Sequence, residues 1–210
     1  YPAGAYDLAG FCIGAAERGK LLSPNQPKVG DIAIALRSSG IHSNGFSLVR
    51  KIIENSGAVL DAPTPFDSES DALGTALMAP TRIYQKAAAI ALDVGGVSGI
   101  VHITGGGLIE NPPRVYGNRL SFRLNCGAMP LPPVFCWLRD IGNMELSELA
   151  RTFNCGIGLI IFADAGKADE ILEALKNGPE PEACVIGNLI ERNHQPAVIL
   201  DRIDQWHRQT

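Results

Sequence analysis

The sequence predicts an α+β domain, a mixed β-sheet with helices packed against it. Three observations lead there. Strand-like and helix-like segments interleave along the 210 residues, but without a strict strand–helix–strand rhythm. Apolar runs such as 156–163, GIGLIIFA, have strand length and turn residues beside them, as fully buried strands do. Other segments, such as 46–57, FSLVRKIIENSG, place apolar residues at helical spacing and close on glycine.

Each element follows in order. Residues 6–19, YDLAGFCIGAAERG, alternate well enough for a strand with a polar exit, and 28–40, KVGDIAIALRSSG, read as a strand after a Gly-Asp turn. In the next helix Phe46, Val49, Ile52 and Ile53 share one face, Arg50, Lys51 and Glu54 take the other, and Gly57 ends it. The Pro- and Ser-rich stretch 58–70 is a surface loop. A short helix follows and stops at Pro80; a longer one runs on with Thr81 as N-cap and Gly95 near its end. A strand over 97–103 leads into Gly105, Gly106 and Gly107. The helix after the glycines is short, because Asn111 precedes Pro112 and is expected to leave helical geometry. A strand at 119–125, helices at 132–143 and 144–153, and a buried strand at 156–164 come next. An amphipathic helix at 166–178 and strands at 183–191 and 196–201 complete the order. Residues 1–200 form one domain, and 201–210 are expected to be a loose polar tail.

Composition sets limits. With 46% hydrophobic and 19% charged residues the chain can bury a sizeable core. A net charge of -4 speaks against a charge-dominated nucleic-acid surface. The longest apolar runs fall far short of the ~20 residues of a membrane helix. Cys12, Cys126, Cys136, Cys155 and Cys184 include no C-x-x-C pair and are odd in number. That suits a reducing, cytoplasmic compartment. The start, YPAGAYDLAG, has no basic n-region and no Met, so a fragment or a processed chain is expected.

Four features point to chemistry. In 103–111, ITGGGLIEN, a strand turns through glycines into a helix start, where free backbone N–H groups hold phosphate or carboxylate. Thr104 adds a hydroxyl or a cap; the alternative is a tight turn without a ligand. The stretch 38–50, SSGIHSNGFSLVR, has the same layout and offers His42, Ser43, Asn44 and Gly45 beside a helix start. In 151–158, RTFNCGIG, Asn154 stands at a turn, and Cys155 is expected to be structural rather than nucleophilic. Arg82 and Arg114 carry guanidinium forks suited to phosphate. His42, His102, His194 and His207 lie far apart in sequence and match no metal-binding spacing, so no metal site is expected.

Together, YDLAGFCIG, SSGIHSNGFSLVRKI, APTRIY, HITGGGLIENPPRV and RTFNCGIGLII closely resemble the C-terminal domain of the phosphoribosylformylglycinamidine cyclo-ligase (aminoimidazole ribonucleotide synthetase) family. The resemblance spans roughly residues 1–200. It implies an ATP-dependent ligase of purine biosynthesis that converts formylglycinamidine ribonucleotide to aminoimidazole ribonucleotide, with ATP and magnesium as cofactors and a homodimeric full-length protein. It implies no nucleic-acid or membrane partner. His42 and Asn44 would be catalytic. Ser43, Gly45, Arg82, Thr104, Gly105, Gly106, Gly107 and Asn154 would hold substrate or phosphate. The family's N-terminal domain, which carries the acidic ATP and magnesium motif, is missing, so this chain alone is expected to be inactive. Pro112 stands where many relatives have Ile or Leu. Two alternatives stay open: a binding domain without turnover, and another ATP-dependent enzyme of the same superfamily.

Overall fold

Six strands and seven α-helices interleave in the computed structural model, which describes residues 4, 6, 9–11 and 13–206. The strands are β1 (Ile32–Arg37), β2 (Val97–His102), β3 (Leu120–Asn125), β4 (Ile157–Ala163), β5 (Cys184–Glu191) and β6 (Val198–Asp201). The helices are α1 (Phe46–Ser56), α2 (Leu73–Leu77), α3 (Gln85–Val94), α4 (Gly107–Glu110), α5 (Pro133–Gly142), α6 (Leu146–Thr152) and α7 (Ala168–Lys176). The strands form one mixed sheet in the order β2-β4-β1-β5-β3-β6. Every neighbouring pair is antiparallel except β3 and β6. The α+β expectation holds.

The period of two along each strand divides the core. Ala33 and Ala35 of β1 and Ile160 and Phe162 of β4 face α1, α5 and α6, where Val49, Phe135, Leu138, Leu149 and Phe153 are buried. Ile34, Leu36, Leu159 and Ile161 face the other way, onto α3 and α7 through Ala87, Ala91, Ile171 and Leu175. All seven residues of β4 are buried, so its sequence is a continuous apolar run rather than an alternation.

Four expectations are corrected. Within residues 6–19 no strand forms among the described residues, with Asp7, Leu8 and Cys12 outside them. Phe11 and Ile13 are more than nine-tenths exposed, so alternation there finds neither a ladder nor a core to face. The helix expected from Thr81 begins only at Gln85, with Tyr84 at its N-cap. Residues 80–84 are held elsewhere: Ser39 Oγ donates to Pro80 O, and Tyr84 Oη donates to Arg37 O at 2.7 Å. Asn111 stays in right-handed helical geometry (φ -80°, ψ -49°) and leads into a 3-10 turn at Pro112–Val115. Its side-chain bonds to Thr104 and Gly105, described below, hold it there. The polar tail instead continues the fold through a 3-10 turn at Ile203–Gln205 to Trp206, which is 1% exposed and donates Nε1–H to Met129 O at 3.1 Å. Residues 207–210 lie outside the described residues. Trp206→Phe keeps most of the buried area and loses that donor; a stability loss of about 1–2 kcal/mol is expected by urea denaturation.

Candidate active site

Antiparallel pairing brings three chain segments to one end of the sheet. β1 and β2 both flank β4, so the loops leaving β1 (38–45) and β2 (103–106) lie on either side of the turn that enters β4 (153–156). The sequence-predicted loops therefore share one end of the sheet with Asn154 between them.

Asn154 is fully buried and fastens the first loop. Its Nδ2 donates to Gly40 O at 2.9 Å and Ile41 O at 3.2 Å. Its Oδ1 accepts from Ser38 Oγ at 2.9 Å and Gly156 N–H at 2.8 Å. With both ends of the amide engaged inside the protein, Asn154 shapes the site rather than facing a ligand. Asn154→Ala should lower stability by about 2 kcal/mol and speed amide exchange across residues 38–45, read by hydrogen-exchange mass spectrometry.

His42 occupies the middle of that loop in the left-handed region, φ 60°. It is 3% exposed. Its Nε2 accepts the Ser39 N–H at 3.1 Å, so the neutral ring carries its proton on Nδ1, and that buried nitrogen has no partner. Burial first, then the neighbouring His102 and Arg82, push its pKa down to about 4. The His102 ring lies 6.2 Å away and the Tyr84 ring 6.4 Å, centre to centre. His102 keeps an exposed edge, and desolvation of the rest lowers its pKa. Burial likewise raises the Tyr84 phenol. The phenol oxygen fills the place where Gly158 would carry a Cβ, at the register irregularity between β1 and β4.

The two helix starts are built alike and rest on the same support. Gly45 precedes α1 with φ 73°, and a Cβ there would enter the Phe153 ring. Gly107 opens α4 with φ 55°, and a Cβ there would press into the carbonyl oxygens of Ala150, Arg151 and Phe153. The Gly107 N–H turns back to Thr104 O at 3.0 Å. Asn111 buckles this loop: its Oδ1 accepts from the Thr104 N–H at 2.5 Å and Oγ1 at 3.2 Å, and its Nδ2 donates to Gly105 O at 2.9 Å. Gly106 has φ 96°, and a side chain there would meet Glu110. Gly105 alone of the three is exposed with open space where a Cβ would be.

Ser43 is exposed, with its Oγ 3.4 Å from Thr81 Oγ1, and Asn44 is half-buried. Arg82 donates from Nη2 to Glu180 Oε2 at 2.9 Å and from Nη1 to Arg37 O at 3.3 Å, with its guanidinium 5.8 Å from the Tyr84 ring centre. Cys155 is fully buried and desolvation raises its thiol, as befits a structural cysteine. Sequence reasoning missed His102, Tyr84, Asn111 and Glu180 as parts of the site. His102 ends the strand just before the glycines and Asn111 ends the glycine stretch itself, so both carry a local signal; Tyr84 and Glu180 join them only through the tertiary fold.

Residues 28–199 match the family model described as AIR synthase related protein, C-terminal domain. The chain belongs to this family. Several solved structures share the fold. E. coli HypE, a hydrogenase maturation protein, is similar at 20% identity and a TM-score of 0.57, over 85% of this chain and 48% of that one. Thiamine-monophosphate kinase from Stenotrophomonas maltophilia K279a is similar at 17% identity and a TM-score of 0.56, over 89% of this chain and 54% of that one. The HypE–HypF complex matches at 18% identity and a TM-score of 0.55, over 81% of this chain and 50% of the other. This chain thus spans about half the length of those solved proteins. No helix among the described residues is long and apolar enough to cross a membrane.

Proposed function

We propose that this AIR synthase related domain supplies one half of an ATP-dependent cyclo-ligase that makes aminoimidazole ribonucleotide from formylglycinamidine ribonucleotide. The observation that carries this reading is the buried, unpartnered Nδ1–H of His42 beside His102 and Tyr84, in the loop flanked by the glycine turn. A buried donor without an acceptor costs about 1–3 kcal/mol, and a ligand oxygen or nitrogen at that point removes the cost. The reaction asks for such a donor. ATP phosphorylates the formyl amide oxygen, the amidine nitrogen attacks that carbon, the carbon–oxygen bond breaks, and phosphate leaves with ring closure. Neutral at pH 7, His42 offers an oriented N–H without a charge, and Asn44 stands two residues further along the same loop. The neutral His102 ring takes the proton released by the attacking nitrogen. The open backbone at Gly105, together with Ser43 and Arg82, receives phosphate oxygens, while Gly45, Gly107, Thr104 and Asn154 hold the loops in place.

Among the described residues no three His, Cys, Asp or Glu side chains converge as a metal-ion site. In this reading magnesium arrives with ATP from the other half. The homodimer and the cytoplasmic setting belong to the same reading.

The test is calorimetric titration of the chain with formylglycinamidine ribonucleotide. Saturable binding is expected, and Gly105→Val should weaken it at least tenfold without loss of fold, since that position has open space and no positive φ. Binding of thiamine monophosphate in its place would favour a kinase-type relative. A folded chain that binds neither would sink the reading.

A further inference from the structure

We propose that Glu180 is a positioning residue, whose buried carboxylate fixes the Arg82 guanidinium beside Tyr84 and His42 for contact with a phosphate group. The inference rests on the reading of this end of the sheet as the active site. Glu180 lies in the connection between α7 and β5 and is 4% exposed. The Arg82 side chain is one-third exposed, so an anion can reach it. Glu180 Oε2 takes the Nη2 donor at 2.9 Å, and Arg37 O, at the last residue of β1, takes Nη1 at 3.3 Å. Tyr84 Oη donates to that same carbonyl at 2.7 Å and presents its ring to the guanidinium. A guanidinium has five N–H donors, and these two bonds leave others for an incoming anion.

The arrangement makes little sense as a device for stability alone. Burying a carboxylate beside a cation recovers little net energy, and the better-attested use of such pairs is to fix a geometry. Desolvation wins here: Glu180 has its pKa raised in spite of the adjacent Arg82. The carboxylate is thus held at a cost, and what it obtains is one orientation of a planar fork. A flexible, third-exposed arginine would otherwise lose side-chain entropy on meeting a phosphate. Glu180, Arg37 O and the Tyr84 ring restrict it beforehand.

Phosphate is the shared chemistry of two sources, a sugar phosphate and a nucleotide. The chain is titrated with inorganic phosphate, ribose 5-phosphate and ATP, in wild type, Glu180→Gln, Arg82→Met and the double variant. Gln keeps the shape and an accepting oxygen, so Glu180→Gln is expected to fold with an unchanged melting temperature and bind the preferred probe about tenfold more weakly. Arg82→Met should lose at least as much, and the double variant no more than Arg82→Met, because Glu180 acts only through Arg82. A preference for ribose 5-phosphate assigns the sugar phosphate to Arg82; a preference for ATP assigns the nucleotide. Full binding by a folded Glu180→Gln overturns the positioning role and leaves the site reading intact. Full binding by Arg82→Met overturns the role of Arg82 as well. If Glu180→Gln fails to fold, Glu180→Asp takes its place, which keeps the charge and draws the carboxylate back from Arg82 Nη2: full phosphate binding by that folded variant overturns the proposal, and binding weakened about tenfold supports it. No phosphate binding by the wild type overturns the proposal together with the reading it rests on.

Discussion

Gly107→Ala is expected to destabilise the domain by about 3–5 kcal/mol, while Gly105→Ala, two residues earlier, should change stability by no more than about 0.5 kcal/mol. The contrast follows from what each Cβ would meet. At Gly107 the backbone has φ 55°, and the new methyl group would enter a space bounded by the carbonyl oxygens of Ala150, Arg151 and Phe153. Backbone cannot swing aside as a side chain can. α6 must shift, and with it Leu149, Ala150 and Phe153, all fully buried. A left-handed alanine adds about 1–2 kcal/mol on its own. At Gly105 the φ is ordinary and nothing lies within 4 Å of the built Cβ. Urea denaturation of both variants decides it. A Gly107→Ala midpoint equal to wild type would mean that α6 does not bear on the glycine turn.

The second large effect is acid sensitivity. His42 has a pKa of about 4 in the folded chain, against an ordinary 6.5. Below pH 6.5 the unfolded chain binds a proton that the folded chain refuses, so the stability that buried neutral His42 supports is present above pH 6.5. It falls as pH drops and stops falling near pH 4, where the native ring is protonated too. The gap corresponds to a loss on the order of 3 kcal/mol across that window. His102, lowered in the same direction, adds to it. Urea midpoints between pH 7.5 and 4, in wild type and in His42→Gln, isolate the His42 part: the variant should show a markedly shallower decline. Parallel declines in the two proteins would contradict a buried, neutral His42.

Most elements were legible in the sequence because they have one strong local cause. β4 is apolar throughout since it is covered on both faces, and α1, α5 and α7 show their buried stripe at helical spacing. The failures share a different cause. Thr81 looks like an N-cap, but the segment to Tyr84 is claimed by hydrogen bonds to the β1 exit, which local pattern cannot show. Trp206 sits among polar residues and is drawn into the core by a carbonyl at Met129. The candidate site was half legible. His42 and Asn154 stand in loops whose composition marks them, and both loops do meet at one end of the sheet. The three glycines, read as one anion-binding feature, divide: Gly107 is demanded by the carbonyls under it, Gly106 by its backbone angle, and Gly105 alone leaves its surroundings open. No spacing rule separates these roles, because they depend on how α6, distant in sequence, lies beneath the turn.

The sheet order has a consequence for synthesis. β1 is bordered by β4 and β5, and β2 by β4, yet both bordering strands lie in the last third of the chain. While the ribosome is still translating α5, β1 and β2 are already out and have no partner, with the apolar faces of Ile34, Leu36 and Val101 uncovered. The nascent chain therefore passes through a long interval with open strand edges, the condition under which chains pair wrongly with one another. Completion of β4 pairs β2 and one edge of β1, with the other edge of β1 waiting for β5, and the same event first sets His42, His102 and Tyr84 side by side. This end of the sheet is thus among the last parts to form, and slow translation between residues 103 and 157 should lower the yield of folded protein more than an equal pause after residue 191.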